Sequence, residues 1–203
     1  MKRFLTIVTA LAMLLCVPLC ARAEGEKTLS CGALSVPVPA DWGTYEMREA
    51  GVPVVAAISG EQPAQRLVAM LELDFGDAAS ASMMVMVYRL FIGQEEMFKQ
   101  MMIGMLMEYL PQIPNLPEGA EKALEIFRTL DMKVSDAELA GRDAVRIDYG
   151  VDVSGTRGCG IMVIAAEGAC AYIVLGAFTG EPDNAFFDGV LGGAAFAAAK
   201  AAA

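Results

Sequence analysis

Two runs near the C-terminus, Cys159 to Ala166 and Ala169 to Phe178, are apolar on both faces and are separated only by Glu167-Gly168. A glycine there admits positive φ and closes a hairpin. Strands without a polar face belong in the middle of a sheet covered on two sides, so the chain must supply layers above and below them. Neighbouring strands are at hand. Met132 to Leu139 reads as a strand, Ala140-Gly141-Arg142-Asp143 as a turn, and Ala144 to Val153 as its partner, before a further turn at Ser154-Gly155.

Upstream, Leu34 to Pro39, Val52 to Ser59 and Arg66 to Phe75 carry strand patterns. Pro37 and Pro39 have no N–H to donate, which makes the first of these an edge strand. Glu72 and Asp74 alternate with Leu71, Leu73 and Phe75, which gives the third a solvated face near its end. Ser82 to Ile92 reads as another strand or as the start of a helix, and Val85, Val87 and Tyr88 tip it towards strand. From Gln94 the period changes. Glu95 and Glu96 complement the dipole of a first helical turn, apolar residues run to Leu110, and Pro111 stops the helix. Pro111, Pro114 and Pro117 form a rigid connector into a shorter helix over Glu118 to Arg128. A closing helix starts near Asp183, capped by Asp183 or Asn184, and runs into the Ala-rich tail. The expectation is one α+β domain, a mostly antiparallel sheet flanked by helices.

The first residues read differently. Lys2 and Arg3 precede an uncharged run from Phe4 to Leu19, and Ala21-Arg22-Ala23 offers small residues around a cleavage point. That is the pattern of a secretory leader over residues 1–23, followed by a domain over 24–203, and it predicts an exported protein, periplasmic or secreted. The lipoprotein form of leader fits less well, because Cys16 and Cys20 each follow a leucine. The leader holds three basic residues and no acid, so its removal takes the formal charge from −10 to −13. Such a balance, without a basic cluster, excludes nucleic acid as a partner and disfavours anionic lipid. The chain has no His, which removes Ser-His-Asp and Cys-His chemistry and imidazole-ligated zinc. No apolar run after the leader reaches the ~20 residues of a membrane span.

Cys31, Cys159 and Cys170 follow the leader. With Glu167-Gly168 as the loop, Cys159 and Cys170 stand about 20 Å apart along the hairpin. A disulfide needs Cα atoms within ~7 Å, so a bridge in the exported protein would join Cys31 to Cys170 or Cys31 to Cys159.

The order of elements resembles the PsbP-like α/β/α sandwich. Val38-Pro39-Ala40-Asp41-Trp42, Ala140-Gly141-Arg142-Asp143-Ala144 and Ala171-Tyr172-Ile173-Val174-Leu175 carry the likeness, with Phe186, Phe187 and Phe196 placed in the closing helix to bury against the sheet. The resemblance spans the chain after its leader, and its motifs are structural. It implies a partner-binding protein without a shared catalytic set, as in the extrinsic P-protein of the oxygen-evolving complex, a Ran-binding import factor and many exported bacterial proteins.

Methionine is the densest anomaly: apart from Met1 and Met13, eight of the remaining twelve lie between Met83 and Met107. Thioethers pack irregular cores, and in an exported protein they also ligate Cu(I). Met97, Met101 and Met105 share a helical face, while Ile103 and Met107 fall on the side marked polar by Glu96 and Gln100. A helix apolar nearly all round must be covered, by the second helix or by a partner or apolar ligand. Elsewhere the chemistry is thin. The pairs Glu72/Asp74 and Asp148/Asp152 read as solvated strand faces, no calcium loop or phosphate-binding Gly-rich turn occurs, Cys159 has no activating base, and Arg142 reads as an exposed charge. The sequence therefore predicts a non-enzymatic interaction or accessory protein of the cell envelope, without a cofactor and with a protein partner. The competing expectation is a carrier of a lipid or Cu(I) in a Met-rich apolar pocket.

Overall fold

The computed structural model describes residues 25–49, 51–59, 65–109, 129–153, 156–180 and 183–197. The expected leader, the Pro-rich connector, the helix over 118–128 and the Ser154-Gly155 turn lie outside the described residues. The elements are β1 (Glu26–Cys31), β2 (Leu34–Pro39), β3 (Gly43–Glu49), β4 (Val52–Ile58), β5 (Arg66–Asp74), α1 (Ala78–Arg89), α2 (Glu95–Tyr109), β6 (Asp131–Leu139), β7 (Arg142–Val153), β8 (Thr156–Glu167), β9 (Cys170–Thr179), α3 (Asn184–Gly192) and β10 (Ala195–Phe196).

Seven strands form one antiparallel sheet in the order β3-β4-β5-β9-β8-β7-β6. It consists of two meanders, β3-β4-β5 and β6-β7-β8-β9, joined where β5 pairs with β9 from Arg66↔Phe178 to Asp74↔Cys170. The central position of the apolar hairpin follows from its composition, since β8 and β9 have no face to give to water. One face of the sheet packs Val54, Leu71, Val145, Ile164 and Ile173 against Val85 and Tyr88 of α1 and Phe98 and Met102 of α2. The opposite face packs Met70, Ile161, Val163 and Val174 against Leu34, Val36 and Val38 of β2 and Phe187 and Val190 of α3. The fold is thus α+β and mostly antiparallel, as expected. Its second covering layer differs from expectation: alongside α3 it is a three-stranded sheet, β1-β2-β10.

Other departures have local causes. Ser82 to Ile92, where the residue types favour a strand over the start of a helix, lies in α1 and the turn after it. Asp77 caps α1 by accepting from the Ser80 N–H at 2.8 Å, and Ala81, Val85 and Tyr88 repeat at helical spacing on the buried side. The cap and the 3.6-residue repeat outweigh the strand preference of Val and Tyr. The last hairpin turns one residue later than expected, at Gly168-Ala169, with Glu167 opposite Cys170. Gly168 has φ +58°, which suits the first position of a two-residue hairpin turn. Cys159 therefore faces Phe178, eight positions from Cys170, about 26 Å along the strand. β2 is central rather than an edge, because β10 pairs with it at Leu34 and Ser35. That contact ends before Pro37, which packs on Gly193 at the end of α3. Helix α3 stops at Gly192, so Phe196 sits in β10, with its ring 5.2 Å from that of Tyr172.

Candidate functional site

The open faces of α1 and α2 form the most chemically distinct surface among the described residues. From Ala78 to Tyr88 the sequence holds no charged side chain. The helix nevertheless turns only Ala81, Val85 and Tyr88 fully inward. The outer stripe is Met83, Met86, Val87 and Leu90, at the three- and four-residue spacing of one helix face. Met83 is 62 % exposed, Met86 63 % and Leu90 70 %. Across the turn that follows, Ile92, Met97, Met101 and Met107 are also exposed. These eight exposed apolar side chains are gathered on two consecutive helices and the turn between them rather than scattered singly.

Beneath the surface the two helices are locked. Phe98 meets Tyr88 edge-on at 5.6 Å and Phe91 at 4.8 Å between ring centroids. Arg89 forms an ion pair with Asp136 at 2.7 Å and a longer one with Asp143 at 3.9 Å, tying the end of α1 to β6 and β7. Glu95 accepts from its neighbour's edge: its Oε1 lies 3.2 Å from the Val134 N–H of β6 and 3.2 Å from the Gly93 N–H. Its own backbone N–H, then these two, hold its carboxyl below the usual carboxylate range. Glu96 takes Lys99 at 2.8 Å and Gln100 at 2.9 Å, and its carboxyl is likewise lowered. Glu95 and Glu96 therefore stay ionised at the start of α2.

Of the residues expected to bind a partner or ligand, Met97, Met101 and Met107 are on this open surface, whereas Ile103 is buried. The side chain of Met105 lies outside the described residues. Sequence reasoning missed Met83, Met86, Val87 and Leu90 as surface, because it read their segment as a strand. The Asp77-x-x-Ser80 cap and the run without charge were the signals available.

The thiols are free in the structure, Cys31 and Cys159 buried and Cys170 half-buried. Cys31 and Cys170 both approach Glu72, with Cys170 Sγ 3.8 Å from Oε1. Burial, then the Glu72 charge, pushes the Cys31 thiol up to about 11. Burial likewise raises Cys170 and takes the Tyr172 hydroxyl up to about 12. Such shifts make poor nucleophiles of these thiols. Glu72 is not the solvated acid its alternation implied. It is half-buried under Gly32, and its Oε2 is shielded from water without a hydrogen-bond partner. Arg142 is paired with Glu167 rather than free. Arg146 bridges Asp148 at 2.9 Å and Asp188 at 2.7 Å. Arg146 and Asp188 line an open depression of about 480 Å³ together with Asp136, Glu138 and Leu191. Among the described residues no group of three or more His, Cys, Asp or Glu side chains is placed to hold a metal, and no helix is long and apolar enough to cross a membrane.

The sequence matches no family model and no curated protein. Among solved structures, the chain is similar to a crystal structure from Bacteroides thetaiotaomicron, at TM-score 0.44 and 14 % identity over 87 % of this chain. It spans half the length of that protein, 50 %. It is also similar to LpqN, described as involved in cell envelope biogenesis of Mycobacterium tuberculosis, at TM-score 0.38 and 12 % identity, covering 86 % of this chain and 91 % of that one.

Proposed function

We propose that this protein is an exported, PsbP-like, non-enzymatic accessory protein of the cell envelope that docks a protein partner on the apolar face of α1 and α2. The observation that carries the reading is the outer stripe Met83, Met86 and Val87, on a helix segment without charge, continued by Leu90 at its C-cap. A surface helix that needed only to cover its sheet would carry polar residues there. Methionine suits docking, since its unbranched side chain adapts to the partner's shape.

The exposed thioethers of Met83, Met86, Met97 and Met101 favour a second reading, a Cu(I) carrier. They sit on an open helical surface rather than in a pocket, which supports docking over ligand enclosure.

A photo-crosslinking residue placed at Leu90 or Met83, with Ala185 on α3 as control, tests the docking reading in intact cells. Adducts to another envelope protein are expected from positions 83 and 90 and not from 185. No adduct from either, or the same pattern from all three, removes the reading. Cu(I) retained by the native protein and lost on replacing these methionines would establish the carrier instead.

A further inference from the structure

We infer that the partner segment is an amphipathic helix whose apolar stripe is flanked by Lys and Arg; this rests on the docking reading above and names the chemistry of its occupant. Two features of the face set that chemistry. The first is its geometry. Met83, Met86 or Val87, and Leu90 repeat at helical spacing, and on α2 Met97 and Met101 lead to Gly104, where an added Cβ would meet nothing within 4 Å. Anchors spaced in this way, beside a position with open space, match an incoming helix that presents residues at i, i+3, i+4 and i+7.

The second feature is the rim. Asp77 caps the start of α1, Glu95 and Glu96 open α2, and Asp136 and Asp143 stand beside Arg89 at the end of α1. The bases on this rim are already engaged. Arg89 is ion-paired with Asp136 and Lys99 with Glu96, and Lys133 approaches Glu95. Five acids against three bases leave the border negative around an uncharged centre. Basic flanks on the incoming helix would meet this border favourably and steer its approach.

The same charge pattern argues against the other occupants. A second copy would bring acidic rim against acidic rim, on a chain of net charge −10. An anionic bilayer would be repelled for the same reason. The chain's own 110–128 segment carries Glu118, Glu121 and Glu125 against Lys122 and Arg128, so it lacks the basic flanks.

The test uses two labelled synthetic helices of about 18 residues, five turns, with one Leu stripe and either Lys or Glu flanks. Their binding to the purified protein is followed by fluorescence anisotropy at low and high salt. The Lys-flanked helix is expected to bind about ten-fold or more tightly than the Glu-flanked one, with the gap narrowing as salt screens the rim. Leu90→Ser should weaken both helices, whereas Glu96→Gln with Asp143→Asn should weaken only the Lys-flanked one. Melting temperatures of these variants should stay at the wild-type value. Equal affinity for the two helices, or binding that ignores Leu90→Ser, overturns the inference. So does a dimer that Leu90→Ser dissociates, flotation with phosphatidylglycerol vesicles, or failure of both helices to bind. Adducts from Leu90 in cells, together with failure of the Lys-flanked helix, would leave docking standing and remove only this partner chemistry. Absence of adducts would remove both.

Discussion

Gly32 and Glu72 occupy each other's space: the Glu72 carboxylate lies where a Cβ on residue 32 would stand. Gly32 also has φ +58°, at the turn between β1 and β2. Gly32→Ala therefore meets a steric conflict and backbone strain together, and is expected to cost ~2 kcal/mol or more in denaturant unfolding. Glu72→Ala added to it should restore part of that loss. If the double variant is no more stable than Gly32→Ala alone, the close approach is not the cause.

Ala140 is the one residue other than glycine with positive φ among those described, at +50°, beside Gly141 at +76°. Leu139 pairs with Arg142 across this two-residue turn, so both central residues are left-handed, the geometry that favours Asn-Gly. Ala140→Asn should raise stability by about 0.5–1 kcal/mol, read as a higher denaturant midpoint with unchanged slope.

Phe187 and Leu90 give opposite outcomes on truncation. Phe187 is fully buried, its ring filling the space left by Gly176 of β9. Phe187→Ala should cost ~3–5 kcal/mol. Leu90→Ser, on the open face, should stay within about 0.5 kcal/mol of wild type. A large loss from Leu90→Ser would show that this face is covered within the folded chain.

Acid should loosen the α1–α2 layer first. The Ser80 N–H, then its hydroxyl, hold Asp77 below its ordinary 3.8, and backbone N–H groups hold Glu95 below 4.5. A depressed folded value means stability that is present above the ordinary value and lost as pH falls through the folded one. Unfolding free energy should therefore drop below about pH 4, with helix amides exchanging first. Asp77→Asn with Glu95→Gln should flatten that drop while leaving the neutral-pH fold intact.

Thiol accessibility should follow burial. Cys170, half-buried, should react with a thiol reagent before Cys31 and Cys159, which are enclosed. Cys31 keeps its proton to about 11, against 9.0 for a free thiol. Its neutral form is the one the fold favours, so that stability is complete below pH 9 and lost as pH rises through about 11. Mass spectrometry after timed alkylation checks the order. Cys31 reacting first would contradict the packing around it.

The sequence alone determined the sheet strands whose apolar pattern leaves no choice. β8 and β9 must be central because neither has a face for water, and the Asp183 cap sets the start of α3. It also carried the acidic charge and the absence of His, from which whole classes of chemistry are excluded. Tertiary structure decided what local preference leaves degenerate. Val85 and Tyr88 favour a strand by type, yet α1 forms because Ala81, Val85 and Tyr88 together fill the face of β8 and β9. Glu72 looked solvated by alternation, and only the crossing of β1 and β2 over the sheet encloses it. Whether Ile103 or Met107 faces outward depends likewise on where α2 docks, since a helix apolar nearly all round has no preferred side of its own. Periodicity reports which faces of an element are apolar; what lies against each face is a property of the packed layers.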